Sequence, residues 1–212
     1  TLRNSSAASD VYKRQGKLHS ADIEIIPDRV EAGTFLMAGA LLGEIEVKNI
    51  IPKHLDKVVH KLRETGCILK INQNSIIITP PEKLKSVDMT TAVYPGFPTD
   101  LQAQWIAIMS LANNSSIVTD TVYHDRFSHI PELSRLGADI KVENNTAFIR
   151  GKNTLVGAPV MSTDIRASAS LVIAALAAEG ETQISRVYHI DRGYESIEQK
   201  FEGLGADIRR VS

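Results

Sequence analysis

Two aspartates and three arginines carry the chemistry this sequence can do. Asp100 sits in YPGFPTDLQAQW (94–105), Asp164 and Arg166 in STDIRAS (162–168), Arg126 in VYHDRF (122–127) and Arg192 in VYHIDRGY (187–194). A carboxylate kept ionised at a helix start can take a proton from a hydroxyl or brace a cation. A guanidinium stays charged and donates in pairs, which suits a phosphate or a carboxylate. If they converge, the five make a site for an anionic substrate and a proton transfer. Two plainer readings stay open at this point. The aspartates can be helix-dipole partners worth about 0.3–1 kcal/mol each, and all five can form a solvated ring of ion pairs.

Elements that would position these residues repeat along the chain. Helices follow Asp28, Thr99 and Thr163, each leading to a β-branched run and then to an amphipathic helix closed by Gly66, Gly137 or Gly205, 71 and 68 positions apart. Glycine there fits a left-handed C-cap. Strands CILKI, ADIKV and ADIRRV come next, and the first two units add SIIIT and TAFIR across an Asn-containing turn. Each unit is close to βαβαββ. The chain reads as α/β with pseudo-threefold symmetry, in units of about 16–85, 86–155 and 156–212. Thr99 is expected to be an N-cap, with Gln102 completing a capping box. On this alignment Asp28, Thr99 and Thr163 all cap, so Asp100 and Asp164 are spare carboxylates. The first helix of each unit is apolar nearly all round and belongs inside. Arg126 and Arg192 fall in equivalent strand-to-helix loops, 66 positions apart, where open α/β architectures build their sites.

Composition narrows the function classes. With 212 residues and 43% hydrophobic content the chain has ample material for a core. A formal net charge of -1 gives no polycationic face for nucleic acid, and no apolar run approaches the length of a membrane span. The one cysteine, Cys67, excludes an internal disulfide and reads as a core thiol, compatible with a cytoplasmic setting. Six histidines show no metal-ligand spacing. Neither glycine-rich phosphate fingerprint occurs, so side chains must hold any phosphate. Residues 1–15 begin without Met, are Ser-rich and lack periodicity, and are read as a non-native or disordered leader.

The stretches PDRVEAGTFLMAGAL, YPGFPTDLQAQ, ELSRLGADI, STDIRASASLVIAALAAEGET and YHIDRGYESIEQKFEGLGADIRR together resemble the enolpyruvyl transferase family, in its UDP-N-acetylglucosamine 1-carboxyvinyltransferase branch. The match runs in order from about Leu18 to the C-terminus. The resemblance implies one domain of an inside-out α/β barrel, needing no cofactor, with a second domain of the same protein as its partner. It implies transfer of the enolpyruvyl group of phosphoenolpyruvate to the 3-hydroxyl of UDP-N-acetylglucosamine, an early step of peptidoglycan synthesis. Asp100 then matches the aspartate that meets the sugar hydroxyl as general base. Arg126, Arg166 and Arg192 match positions that hold phosphoenolpyruvate, Asp164 assists proton movement or orients Arg166, and Val122 meets the nucleotide sugar through its backbone.

Two departures accompany the resemblance. His124 and Asp125 stand where the family commonly has Glu and Asn. The family's loop cysteine (aspartate in some members), early lysine and arginines belong to the other half, so this chain alone is expected to be inactive. Alternatives are the shikimate-pathway enolpyruvyl transferase and a non-enzymatic domain that binds a nucleotide sugar or a partner.

Overall fold

Three long, nearly uniformly apolar segments become the helices around which everything else is laid. In the computed structural model, which describes residues 20 and 22–211, these are α1 (Arg29–Leu42), α3 (Gln102–Met109) and α5 (Ser168–Ala177). The expected leader, 1–15, lies outside the described residues. α1 starts where Asp28 accepts the N–H groups of Val30 and Glu31, satisfying two donors that a helix start leaves free. All eight residues of α3 are buried. The three helices pack on one another, so helices without a polar face lose no hydration by meeting.

Strands and amphipathic helices cover this centre. β1 (Ile45–Lys48), α2 (Asp56–Glu64), β2 (Ile68–Ile71) and β3 (Ser75–Thr79) form the first group, its antiparallel sheet ordered β1-β3-β2. The second has β4 (Met89–Thr90), β5 (Ser115–Thr119), α4 (Ile130–Arg135), β6 (Asp139–Glu143) and β7 (Thr146–Arg150), ordered β4-β5-β7-β6. The third has β8 (Pro159–Met161) parallel to β9 (Gln183–Ser185), followed by α6 (Tyr188–Asp191) and α7 (Ile197–Gly203). Gly66, Gly137 and Gly205 have φ of 98°, 92° and 94°, the left-handed conformation that a side chain resists. Cys67, next to Gly66, is buried, and its thiol is pushed up by that burial.

Five local expectations are corrected. Thr99 does not cap: it opens a 3-10 turn (Thr99–Leu101), no side chain caps that turn, and its hydroxyl donates to Asp120 at 2.6 Å. A buried carboxylate outcompetes a backbone amide for the hydroxyl. Nor does Gln102 complete a capping box: its side-chain amide is buried without a partner among the described residues. Thr163 does not cap either. α5 begins five residues later, and Asp164, expected to be spare, accepts the N–H groups of Arg166 and Ala167 at 2.8 Å each. Finally, ADIRRV is not a strand. In the first two groups the strand after the glycine pairs with the strand that follows it (β2 with β3, β6 with β7), whereas no strand among the described residues pairs with 206–211.

Candidate functional site

The loop between β5 and α4 carries Arg126 to the start of α3. Its Nη1 donates to Asp100 Oδ1 at 2.6 Å and lies 3.4 Å from Thr99 Oγ1, while Nη2 is 3.9 Å from Asp164 Oδ1. One guanidinium therefore lies between carboxylates from two different helix starts. The Asp100 side chain is 42% exposed and that of Arg126 20%, so this carboxylate is open to a ligand while its cation is mostly covered. Such an arrangement can accept a proton from a hydroxyl and steady an anion beside it.

Arg166 sits next to this opening but is bound differently. Its Nη2 donates to Asp28 Oδ2 at 2.8 Å and its Nη1 to the Gly193 carbonyl at 3.0 Å, and its guanidinium stacks 5.3 Å above the Tyr194 ring. A side chain at Gly193 would run into Ile165 at 2.6 Å, so glycine lets that loop approach. Tyr194, 1% exposed, shares its hydroxyl with Thr34 at 2.9 Å and Gln104 at 3.2 Å; Gln104 also donates to Thr34 and to the Arg166 carbonyl, both at 3.1 Å. Burial pushes the Tyr194 phenol up. Burial also works to raise the Asp28 carboxyl, but Arg166 and the helix-start N–H groups more than offset it and hold it low. Asp28 in turn raises Arg166 against its own partial burial.

Four of the expected side chains meet here. Asp100, Arg126 and Asp164 are linked directly, and Arg166 continues from Asp164 through its backbone N–H. Arg192 does not join them: it is exposed, with no hydrogen bond or ion pair from its side chain among the described residues, although the carbonyl of its neighbour Gly193 holds Arg166. The N–H of Val122 is committed to Asp120 at 2.9 Å, and its carbonyl has no partner among the described residues. His124 and Asp125 are exposed and form no hydrogen bond or ion pair with Arg126. Sequence reading missed Tyr194, Thr34 and Gln104, though a threonine and a glutamine inside otherwise apolar helices are a usable signal. It also missed His129, which is 1% exposed with neither ring nitrogen partnered among the described residues. Burial lowers His129 to about 4; Asp164 opposes that shift and Arg126 adds to it.

The family model for EPSP synthase (3-phosphoshikimate 1-carboxyvinyltransferase) matches residues 3–201. The chain belongs to the EPSP synthase family. Within that family it is 52% identical over 196 residues to UDP-N-acetylglucosamine 1-carboxyvinyltransferase of Desulfosudis oleivorans, covering 92% of this chain and 47% of the relative. The protein of the same name from Myxococcus xanthus is 51% identical over 187 residues, covering 88% and 44%. The chain thus spans about half the length of the curated relatives it matches. Among solved structures, the enolpyruvyl transferase NikO from Streptomyces tendae superposes with a TM-score of 0.78 at 29% identity, over 89% of this chain and 45% of that one. EPSP synthase from Acinetobacter baumannii gives 0.68 at 16% identity, over 91% and 46%, and shares the fold.

Proposed function

We propose that this chain supplies the sugar-facing half of an enolpyruvyl transferase site that joins phosphoenolpyruvate to UDP-N-acetylglucosamine. One observation carries the reading: Asp100 presents a half-open carboxylate braced by Arg126 at 2.6 Å, in a chain about half identical to relatives named for that reaction. Asp100 takes the proton of the sugar 3-hydroxyl as its oxygen attacks the enol carbon, while another group protonates the methylene carbon. Arg126, Arg166 and Arg192 stabilise the negative charge of phosphoenolpyruvate and of the departing phosphate. Asp164 holds the start of α5 and steadies Arg126. Val122 offers its carbonyl to the nucleotide sugar.

In this reading the three groups of elements are βαβαββ units of about 16–85, 86–155 and 156–212, together one domain of an inside-out barrel. A second domain of the same protein brings the remaining catalytic groups, and the work is done in the cytoplasm. Among the described residues no helix is long and apolar enough to cross a membrane.

The test is protein-observed NMR with UDP-N-acetylglucosamine, alongside phosphate release from phosphoenolpyruvate. The nucleotide sugar should shift resonances of Asp100, Val122 and Arg126, and Asp100→Asn should weaken that binding. The chain alone should release no phosphate. Shifts produced by shikimate 3-phosphate and not by the nucleotide sugar would transfer the chain to the shikimate reaction. Sugar-dependent phosphate release by this chain, lost in Asp100→Asn, would show that half a site suffices.

A further inference from the structure

Asp120, at the end of β5, is completely buried, and no lysine, arginine or histidine among the described residues pairs with it. Its carboxylate instead collects four neutral donors. Oδ1 accepts the Thr91 hydroxyl at 2.7 Å and the N–H groups of Val122 and Tyr123 at 2.9 and 2.8 Å, while Oδ2 accepts the Thr99 hydroxyl at 2.6 Å. The backbone of Asp120 is fixed too, through two bonds with Asn145 at 2.9 and 3.0 Å. Burial alone would raise this carboxyl, yet the donors hold it low and ionised. A buried charge without a counter-ion is costly unless its hydrogen bonds are complete. Only an acceptor-only group can serve three donors on one oxygen and a hydroxyl on the other.

The donors belong to the segments that build the site. Thr99 precedes Asp100; Val122 and Tyr123 begin the loop that ends in Arg126. Because the Thr99 hydroxyl gives its hydrogen to Asp120, its lone pair faces Arg126 Nη1, 3.4 Å away, and the same Nη1 continues to Asp100. The Tyr123 N–H also points inward to Asp120, which turns the Val122 carbonyl of the same trans peptide away from it.

We propose that Asp120 is a positioning residue for this site, one anchor that sets both the Thr99–Arg126–Asp100 chain and the backbone of Val122. The link to nucleotide-sugar binding rests on the function proposed above; the positioning itself rests on the bonds alone. Asp120→Asn is nearly isosteric but reverses the donor at one oxygen. Its NH2 would face either the Thr99 hydroxyl or the Thr91, Val122 and Tyr123 donors, and since it cannot accept a hydrogen bond one set of bonds must fail.

The experiment compares the unsubstituted chain with Asp120→Asn, Asp120→Glu and Thr99→Val by nitrogen-15 NMR of the Arg126 guanidinium and of the Val122 and Tyr123 amides. Nucleotide-sugar affinity is measured on the same samples. Hindered rotation at Arg126 Nη is expected in the unsubstituted chain and averaged rotation in Asp120→Asn, with both amides shifted. Affinity for UDP-N-acetylglucosamine should fall roughly tenfold, the size of one charged hydrogen bond, and Asp120→Glu should recover part of it. Thr99→Val, which leaves the core carboxylate three donors, should free Arg126 while sparing the two amides; it also covers the case in which Asp120→Asn does not fold. A folded Asp120→Asn with Arg126 still hindered and unchanged affinity would overturn the inference, whatever its loss in urea resistance. An unsubstituted chain that ignores the nucleotide sugar, with the Arg126 and amide changes as expected, would overturn the functional reading and leave the positioning standing.

Discussion

Arg126 and Arg166 are the same residue type, side by side, and they are held in opposite ways. Among the described residues Arg126 is held by side chains alone: Asp100, Thr99, the Tyr123 ring 5.6 Å away and, further off, Asp164. Arg166 is pinned at both Nη atoms, by a carboxylate and by a backbone carbonyl, with an aromatic ring beneath it and a buried hydroxyl network beneath that. A cation whose partners are mobile side chains can exchange one of them for a ligand's oxygen. One locked to backbone and ring cannot turn without breaking the wall it belongs to. In the function proposed above, identical chemistry at the sequence level thus divides into a working group and a supporting one, and Arg192, exposed and unpaired among the described residues, is the third case.

The sharpest way to separate the regions is through what lies beneath the first. His129 is buried against Asp164 and Arg126 and held near 4, below the ordinary imidazole value of 6.5. The unfolded chain binds a proton there that the folded chain refuses. Stability is therefore whole above about pH 6.5 and falls as pH drops toward 4, by about 3 kcal/mol across that window. Urea midpoints measured from pH 4 to 7 should show this slope, and His129→Phe should flatten it. An unchanged slope in His129→Phe would mean the ring is hydrated and the floor of the Arg126 region is not dry.

Next in size is the direct contrast. Arg166→Met should cost about 1–2 kcal/mol, because it leaves the Gly193 carbonyl and the face of Tyr194 without their partner, while water takes over at Asp28, which is exposed about as much as Asp100. Arg126→Met should cost less than about 1 kcal/mol, since Asp100 is well enough exposed for water to take over. Urea unfolding of the two variants measures both. Equal losses would erase the distinction between working and supporting arginines.

Much of the scaffold behind this contrast is legible from local patterns. The three apolar helices, the positive-φ glycines at 66, 137 and 205 and the two hairpins each follow from a few neighbouring residues. What escaped depends on distant partners. Thr99 has the right type and place for a cap, but a carboxylate 21 residues away takes its hydroxyl. Asp164 reads as spare because Thr163 occupies the expected cap position, but its carboxylate takes the N–H groups of Arg166 and Ala167. ADIRRV alternates like a strand, but no strand among the described residues pairs with it. The aspartates and arginines stand out in the sequence because they recur at equivalent helix starts and strand-to-helix loops of the repeat. Which atoms hold each arginine is not legible there, since that depends on distant partners.

The smallest effect tests whether the supporting side is one unit. Tyr194→Phe removes only a hydroxyl, leaving Thr34 and Gln104 to satisfy each other, and should cost about 1–2 kcal/mol. Thr34→Val removes a different corner of the same triangle and should cost a similar amount. Because both changes break the bond between Thr34 Oγ1 and the Tyr194 hydroxyl, 2.9 Å apart, the double variant should lose clearly less than the sum of the two. Urea unfolding of the four proteins reads that coupling. Strict additivity would mean the hydroxyls act separately, and Arg166 would then owe its position to Asp28 and Gly193 alone, leaving the two arginines less different than their surroundings suggest.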